Sequence, residues 1–248
     1  MRPVLLAAAF AVLLAVALVL LLLPRSPAPA NPAPPLPDAT ALTVDETPVP
    51  FRAVSVFLAR ERSDIVAQAQ ASGADVAAAG FWDTPIRGTT PAQSLVDRAE
   101  ASVVRLQIEL DAAEHAGVSA PHTYADLVQA WTAENDRRAA ALRAGEPVYG
   151  PPSLSESDFI DYFLGALRQE VSEALASAGA IDGSATAVQS YRGEHPEAAD
   201  APEEAVRLSA LEEQYTSIVD ASVAAADVSP APALGDLAHA PCVAAGAC

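Results

Sequence analysis

The first stretch of the chain has no alternation of apolar and polar positions. Pro3–Leu23, PVLLAAAFAVLLAVALVLLLL, carries no charge and no hydrogen-bonding side chain. About 20 apolar residues at 1.5 Å rise make roughly 30 Å, the thickness of a bilayer's hydrocarbon core. Its Leu, Val and Phe residues together favour insertion by about 4 to 8 kcal/mol. The pattern predicts an uncleaved transmembrane helix. The competing reading is a cleaved signal peptide, with Ala28-Pro29-Ala30 as a weak cleavage site. Signal peptides have shorter apolar cores, ~7–15 residues. Both readings place everything after Pro24 outside the cytoplasm, since Arg2 and the amino terminus favour keeping the short end inside.

After the run comes Arg25–Asp38, RSPAPANPAPPLPD. Repeated proline forces extended backbone and removes amide donors, which makes this stretch a spacer. Ala41–Pro50 predicts a strand, a turn at Asp45-Glu46 and a second strand at Val49. Pro48 and Pro50 confine that second strand to a sheet edge. Periodicity then changes to that of helices. Val54, Leu58, Ile65 and Ala69 mark a first helix ending near Ser72. Thr90-Pro91-Ala92-Gln93 supplies an N-cap, a proline at the first helical position and Gln at the third. The helix it starts runs to about His115, with an inward stripe of Leu95, Ala99, Val103, Leu106, Leu110 and Ala113. A third helix is capped by Thr123 with Asp126. Its second half, ENDRRAAALRAG, is mostly polar, carries a Glu134–Arg138 pair and is expected to project into solvent. A fourth runs from Ser155 to about Ala178, and a short one occupies Ser184–Gly193. Ala205–Leu211 suits either a strand or a helix, and Tyr215–Ala225 reads as a last helix. The expected organisation is a membrane anchor at 1–24, a linker at 25–40, a helical domain at 41–225 and a disordered Ala/Pro tail at 226–248. The fold class is mainly α with a short β-hairpin.

Composition narrows the partners. The 248 residues carry a net charge of −18, and all 14 basic residues are arginine. Such a surface repels phosphate backbones, so nucleic acid is excluded as a partner. The two cysteines, Cys242 and Cys248, sit at the end of the chain and can close a small disulfide loop in an exported protein.

Catalytic motifs are missing. There is no G-x-S-x-G, no glycine-rich phosphate loop and no H-E-x-x-H. His115 and His122 flank a helix break, but two histidines without a carboxylate do not make a metal site. Glu109, Asp111 and Glu114 read as a solvated face, and no carboxylate stands paired in an apolar stretch. No metal and no cofactor are expected. The candidates for binding are aromatic: Phe81, Trp82, Trp131, Tyr149 and Tyr162, with Tyr191 a sixth. Aromatics beside a polar surface suit the capture of apolar segments of other chains.

Several stretches carry a resemblance. Val44-Asp45-Glu46-Thr47-Pro48-Val49 resembles the opening hairpin of the SurA/PrsA-type exported peptidyl-prolyl isomerases, which leads straight into a first helix. FWDT, GTTPAQSLVDRA, AWTAENDRRAAALRAGEPVYGPP and FIDYFLGALRQEV are similar to membrane-anchored relatives. Ser184–Pro196 resembles the short helix before the family's catalytic domain. The resemblance covers roughly Ala41–Pro196 and implies a SurA-N-like helical chaperone module that binds unfolded or exported polypeptides. The departure lies downstream. A parvulin catalytic domain opens with a strand like V-R-x-x-H-I-L, where this chain has Val206-Arg207-Leu208-Ser209-Ala210-Leu211 without the histidine. The resemblance therefore implies polypeptide binding with no placeable catalytic residue. An active isomerase and a cell-envelope docking protein are the alternatives.

Overall fold

The computed structural model describes residues 37–240 and Val243. They belong to a unit spanning Pro34–Cys248. Among the described residues, seven α-helices, three short 3-10 turns and a small sheet make up the regular structure. The helices are α1 (Phe51–Ala71), α2 (Pro91–His115), α3 (Tyr124–Ala144), α4 (Glu156–Ser177), α5 (Ala185–Glu194), α6 (Glu203–Ala225) and the short α7 (Pro232–Asp236). The strands are β1 (Thr40–Val44), β2 (Thr47–Pro50) and β3 (Val228–Pro230). The mainly helical class with a hairpin is therefore what the chain adopts. The expected transmembrane helix at 3–23 and the Cys242–Cys248 pair lie outside the described residues. No described helix is long and apolar enough to cross a membrane.

The hairpin forms as its pattern predicts. β1 and β2 pair antiparallel, with Val44 opposite Thr47. Asp45 and Glu46 both take positive φ, 45° and 72°, which matches the right-handed twist of the flanking strands. The proline-bearing β2 lies at the edge, in the order β2-β1-β3. Pro50 caps α1, whose first residue is Phe51.

The long helices begin where their caps stand. Thr90 Oγ1 accepts the Gln93 amide at 3.1 Å. The Gln93 side chain does not return to the cap; its Nε2 donates to Asp97 at 2.6 Å. Thr123 and Asp126 form a full reciprocal capping box, and the hydroxyl of Thr123, with nearby backbone amides, holds the Asp126 carboxyl below its usual range. α2 lies at the centre, packed by α1, α4, α6 and β1. Its predicted stripe, Leu95 to Ala113, is buried throughout.

Three expectations are corrected. Glu203–Ala225 is one continuous helix, so Ala205–Leu211 is neither a strand nor separate from the helix after it. Val206, Ala210 and Leu211 are buried along one side of it, the 3.6-residue period winning over the local alternation. The segment where a parvulin strand would open is thus helical wall.

The tail is not disordered over its described part. β3 pairs antiparallel with β1, Val44 opposite Val228. The Asp227 carbonyl accepts the Asp45 amide at 2.9 Å, and Asp45 Oδ1 accepts the Asp227 amide at 2.8 Å. Leu234 and Leu237 are then buried in the common core. Ala/Pro composition lowers local propensity, but the free edge of β1 needs hydrogen-bond partners and the tail supplies them.

The second half of α3 does not simply project into solvent. Asn135 Nδ2 donates to the Leu154 carbonyl at 3.0 Å and its Oδ1 accepts the Leu154 amide at 2.8 Å. Arg138 is buried and donates to the carbonyls of Tyr149 and Pro151, both at 2.9 Å. The polar residues of this half bind the loop leading into α4.

Candidate polypeptide-binding surface

Arg138 is the centre of the surface. Glu134, one turn back on α3, accepts from its Nε at 2.8 Å, which is the predicted i,i+4 pair. With Nη1 committed to the loop carbonyls, the guanidinium lies 5.8 Å from the ring centre of Tyr162 on α4. Tyr149 sits on the same loop, 88% exposed, and Tyr162 is 54% exposed. Leu142 stands one turn beyond Arg138 on α3 and is 48% exposed. Three of the four large apolar side chains exposed among the described residues thus stand on α3, the loop after it and α4, the elements that Arg138 joins. The guanidinium fixes the loop while its face leaves the tyrosines open.

Trp131 borders this surface without opening onto it. It is half-buried, and its Nε1 donates to the Leu154 carbonyl at 2.8 Å. Its ring lies 5.7 Å from the Arg52 guanidinium. Arg52 in turn holds Glu156, with Nε–Oε1 at 2.9 Å, and the Tyr124 phenol donates to the same carboxylate oxygen at 2.7 Å. Burial first, then the hydrogen bond to Glu156 and its charge, pushes the Tyr124 phenol far above its usual range. Trp131 is thus a strut over a closed polar network joining α1, α3 and α4.

Phe81 and Trp82 belong elsewhere, on a single 3-10 turn, Phe81–Asp83, packed against α2. Phe81 is buried, and the Trp82 ring stands edge-on to it at 5.1 Å between centroids. The other side of Trp82 is covered by Arg62 of α1, 4.2 Å from the ring centre. The structure therefore brings Tyr149 and Tyr162 to Arg138, sets Trp131 against the Leu154 carbonyl and Arg52, and leaves Phe81 and Trp82 in a separate packed corner. Tyr191 stacks on His195 at 4.0 Å.

One polar cluster corrects the sequence reading outright. Glu109 does not belong to a solvated face; it is 1% exposed, in the middle of the apolar stripe of α2. Both carboxylate oxygens accept from Arg168 of α4, at 2.7 and 2.8 Å. Arg105 approaches from the preceding turn at 3.4 Å and reaches Asp220 of α6 at 2.6 Å. Tyr215 of α6 is buried in the same region, and its hydroxyl has no partner among the described residues. Burial first, then the charge of Glu109, raises its pKa far above the phenol range. The sequence signal was a charged residue inside V-V-R-L-Q-I-E-L, where each neighbour faces the core. Gln107, also buried, donates to Asp111 and to the His122 carbonyl.

His195 meets two carboxylates, Glu197 at 3.2 Å and Glu213 at 3.1 Å, one on each ring nitrogen. His122 faces Glu114 at 3.3 Å. Among the described residues no three histidine, cysteine or carboxylate side chains are placed to hold a metal ion. No family model, no curated protein and no solved structure matches the chain.

Proposed function

We propose that the chain is a membrane-tethered, extracytoplasmic binder of nonnative polypeptides, chaperone-like in action and related to the helical module of the SurA/PrsA-type isomerases. Pro3–Leu23 is the tether and the bilayer its anchor. The observation that carries the binding role is the Leu142–Tyr149–Tyr162 surface around Arg138. Large apolar groups are held in water on a rigid support, where burial against another chain is favourable at about 25 cal/mol per Å² of apolar area. Tyrosine suits this task, since its ring takes apolar segments and its hydroxyl stays hydrated when the site is empty. Such contacts read no sequence, so binding is weak and tolerant of many clients.

The test is suppression of aggregation of an unrelated unfolding protein at near-stoichiometric amounts. The double variant Tyr149→Ser/Tyr162→Ser is expected to lose most of that activity while its melting temperature stays unchanged. Equal suppression by the variant removes the surface from the argument. No suppression by the parent chain removes the function. Protease added outside intact cells is expected to degrade the helical body; full protection removes the tethered, exported topology.

A further inference from the structure

A groove of about 410 Å³ runs between the C-terminal half of α1, the turn Ile86–Thr89 and the start of α2. That volume falls within the ~300–1,000 Å³ typical of small-ligand sites. Ile65, Ala69 and Ile86 are the apolar part of its lining, and Gln68, Ser72, Thr89 and Ser94 offer polar side chains. No carboxylate lines it, in a chain with 32 acidic residues. Two other clefts among the described residues differ. One, beside α5 and α6, includes Glu173 and Asp182. The other, above Glu109, includes Glu61 and Asp161.

The one charge on the groove is Arg87. Every other described arginine is engaged by a carboxylate or a backbone carbonyl, as Arg98 is by Glu61 and Arg143 by Ala139. Arg87 makes no hydrogen bond or ion pair with any described residue. It is also held at φ 56°, a conformation that costs a side-chain-bearing residue about 1 kcal/mol. The turn is closed by the Ile86 amide donating to the Thr89 carbonyl at 2.9 Å. An exposed, unpaired guanidinium thus lies at the edge of a groove of mixed apolar and neutral polar lining with no carboxylate on it.

We propose that this groove binds a carboxylate carried on a short apolar body, with the carboxylate on Arg87 and the apolar part against Ile65, Ala69 and Ile86. Arginine meets a carboxylate with two parallel N–H donors, which gives direction as well as attraction. The apolar part distinguishes such a ligand from inorganic anions. Two sources share the chemistry: the last residue of a peptide with an apolar side chain, and a medium-chain fatty acid. The site is separate from the tyrosine surface around Arg138, so either stands if the other fails.

The experiment uses the full chain and three probes followed by saturation-transfer NMR and calorimetry: acetyl-Ala-Ala-Leu as the free acid, the same peptide as its C-terminal amide, and octanoate. The free acid or octanoate is expected to bind, with the amide weaker by about tenfold or more, the factor for losing one charge-assisted pair. Binding by the peptide acid alone assigns the site to chain ends, and binding by octanoate alone assigns it to fatty acids. Arg87→Gln is expected to reduce acid binding by a similar factor, and Arg87→Lys to restore part of it. A melting temperature matching the parent's shows that each variant is folded. Tyr149→Ser is expected to leave acid binding unchanged. The proposal is overturned if acid and amide bind alike, if Arg87→Gln binds the acid as well as the parent does, or if neither acid binds at low-millimolar concentration.

Discussion

Glu109 shows how much can depend on one side chain. A carboxylate that is 1% exposed has lost nearly all its hydration, and only Arg168 and Arg105 replace it. Glu109→Ala leaves the Arg168 guanidinium without its carboxylate, while Arg105 keeps Asp220, and urea unfolding is expected to show a loss of about 3 kcal/mol. Tyr215→Phe is the opposite case. It deletes a buried hydroxyl that has no described partner, so the same measurement should show no loss and a gain of up to about 1 kcal/mol. A clear loss there would mean that the hydroxyl is bonded. His195 gives a pH signature. Its Nδ1 faces Glu197 at 3.2 Å and its Nε2 faces Glu213 at 3.1 Å. The hydrogen bond to Glu197 first, and the charge of Glu213 after it, raise the imidazole above its ordinary 6.5. The folded state therefore binds this proton more tightly than the unfolded state. The stabilisation is complete below 6.5 and is lost as pH rises through the higher folded value. Melting temperature should fall across that window in the parent chain, and His195→Asn should flatten the fall; parallel curves for the two proteins refute the assignment.

Among the elements, α2, α3 and α4 were legible because each start is written twice, once in its cap and once in its apolar stripe, whereas α6 starts after Pro202 with no side-chain cap and its first turns went unread. Thr123 with Asp126, or Thr90 with Pro91, fixes a first turn whatever the tertiary context. What was hidden depended on distant partners. Glu109 meets Arg168 across 59 positions, and Asp45 meets Asp227 across 182. No local window contains both members. The same cause hid part of the site. Tyr149 and Tyr162 were legible as aromatics in polar surroundings, but their gathering around Arg138 depends on how the 149–154 loop returns to α3. Phe81 and Trp82 looked like loop aromatics, and Arg62 covers one side of Trp82 from another helix. The tail is the clearest instance, since its order comes from β1 and not from its own residues. A direct consequence concerns Leu234, 1% exposed on a five-residue helix that follows β3. Leu234→Ala is expected to cost about 2–4 kcal/mol by thermal or urea unfolding, as for any well-packed core leucine. A disordered tail would give a change near zero, so the size of the loss decides between the two pictures.

At the scale of the whole molecule, charge constrains which clients the proposed binding surface can hold. The net charge of −18 produces a negative field around a surface whose own contacts are apolar. Exposed carboxylates neighbour it along the chain: Asp136 and Glu146 flank Arg138 and Leu142 along α3 and beyond it, while Asp161, next to Tyr162, is paired with Arg60. Basic unfolded chains are drawn towards such a field and acidic ones repelled, while the apolar contact is the same for both. Salt should then act in opposite directions on the two. At ~0.1 M the screening length is about 10 Å, so raising ionic strength beyond that removes most of the long-range effect but leaves the tyrosine contacts intact. Suppression of aggregation should weaken with added salt for a basic client and strengthen for an acidic one, the two converging at high salt. Tyr149→Ser/Tyr162→Ser should lower that common limit without altering the divergence at low salt. If basic and acidic clients respond to salt in the same direction, the field is not selecting among them; if the double variant leaves the high-salt limit untouched, the contact lies somewhere other than the ring of exposed groups around Arg138.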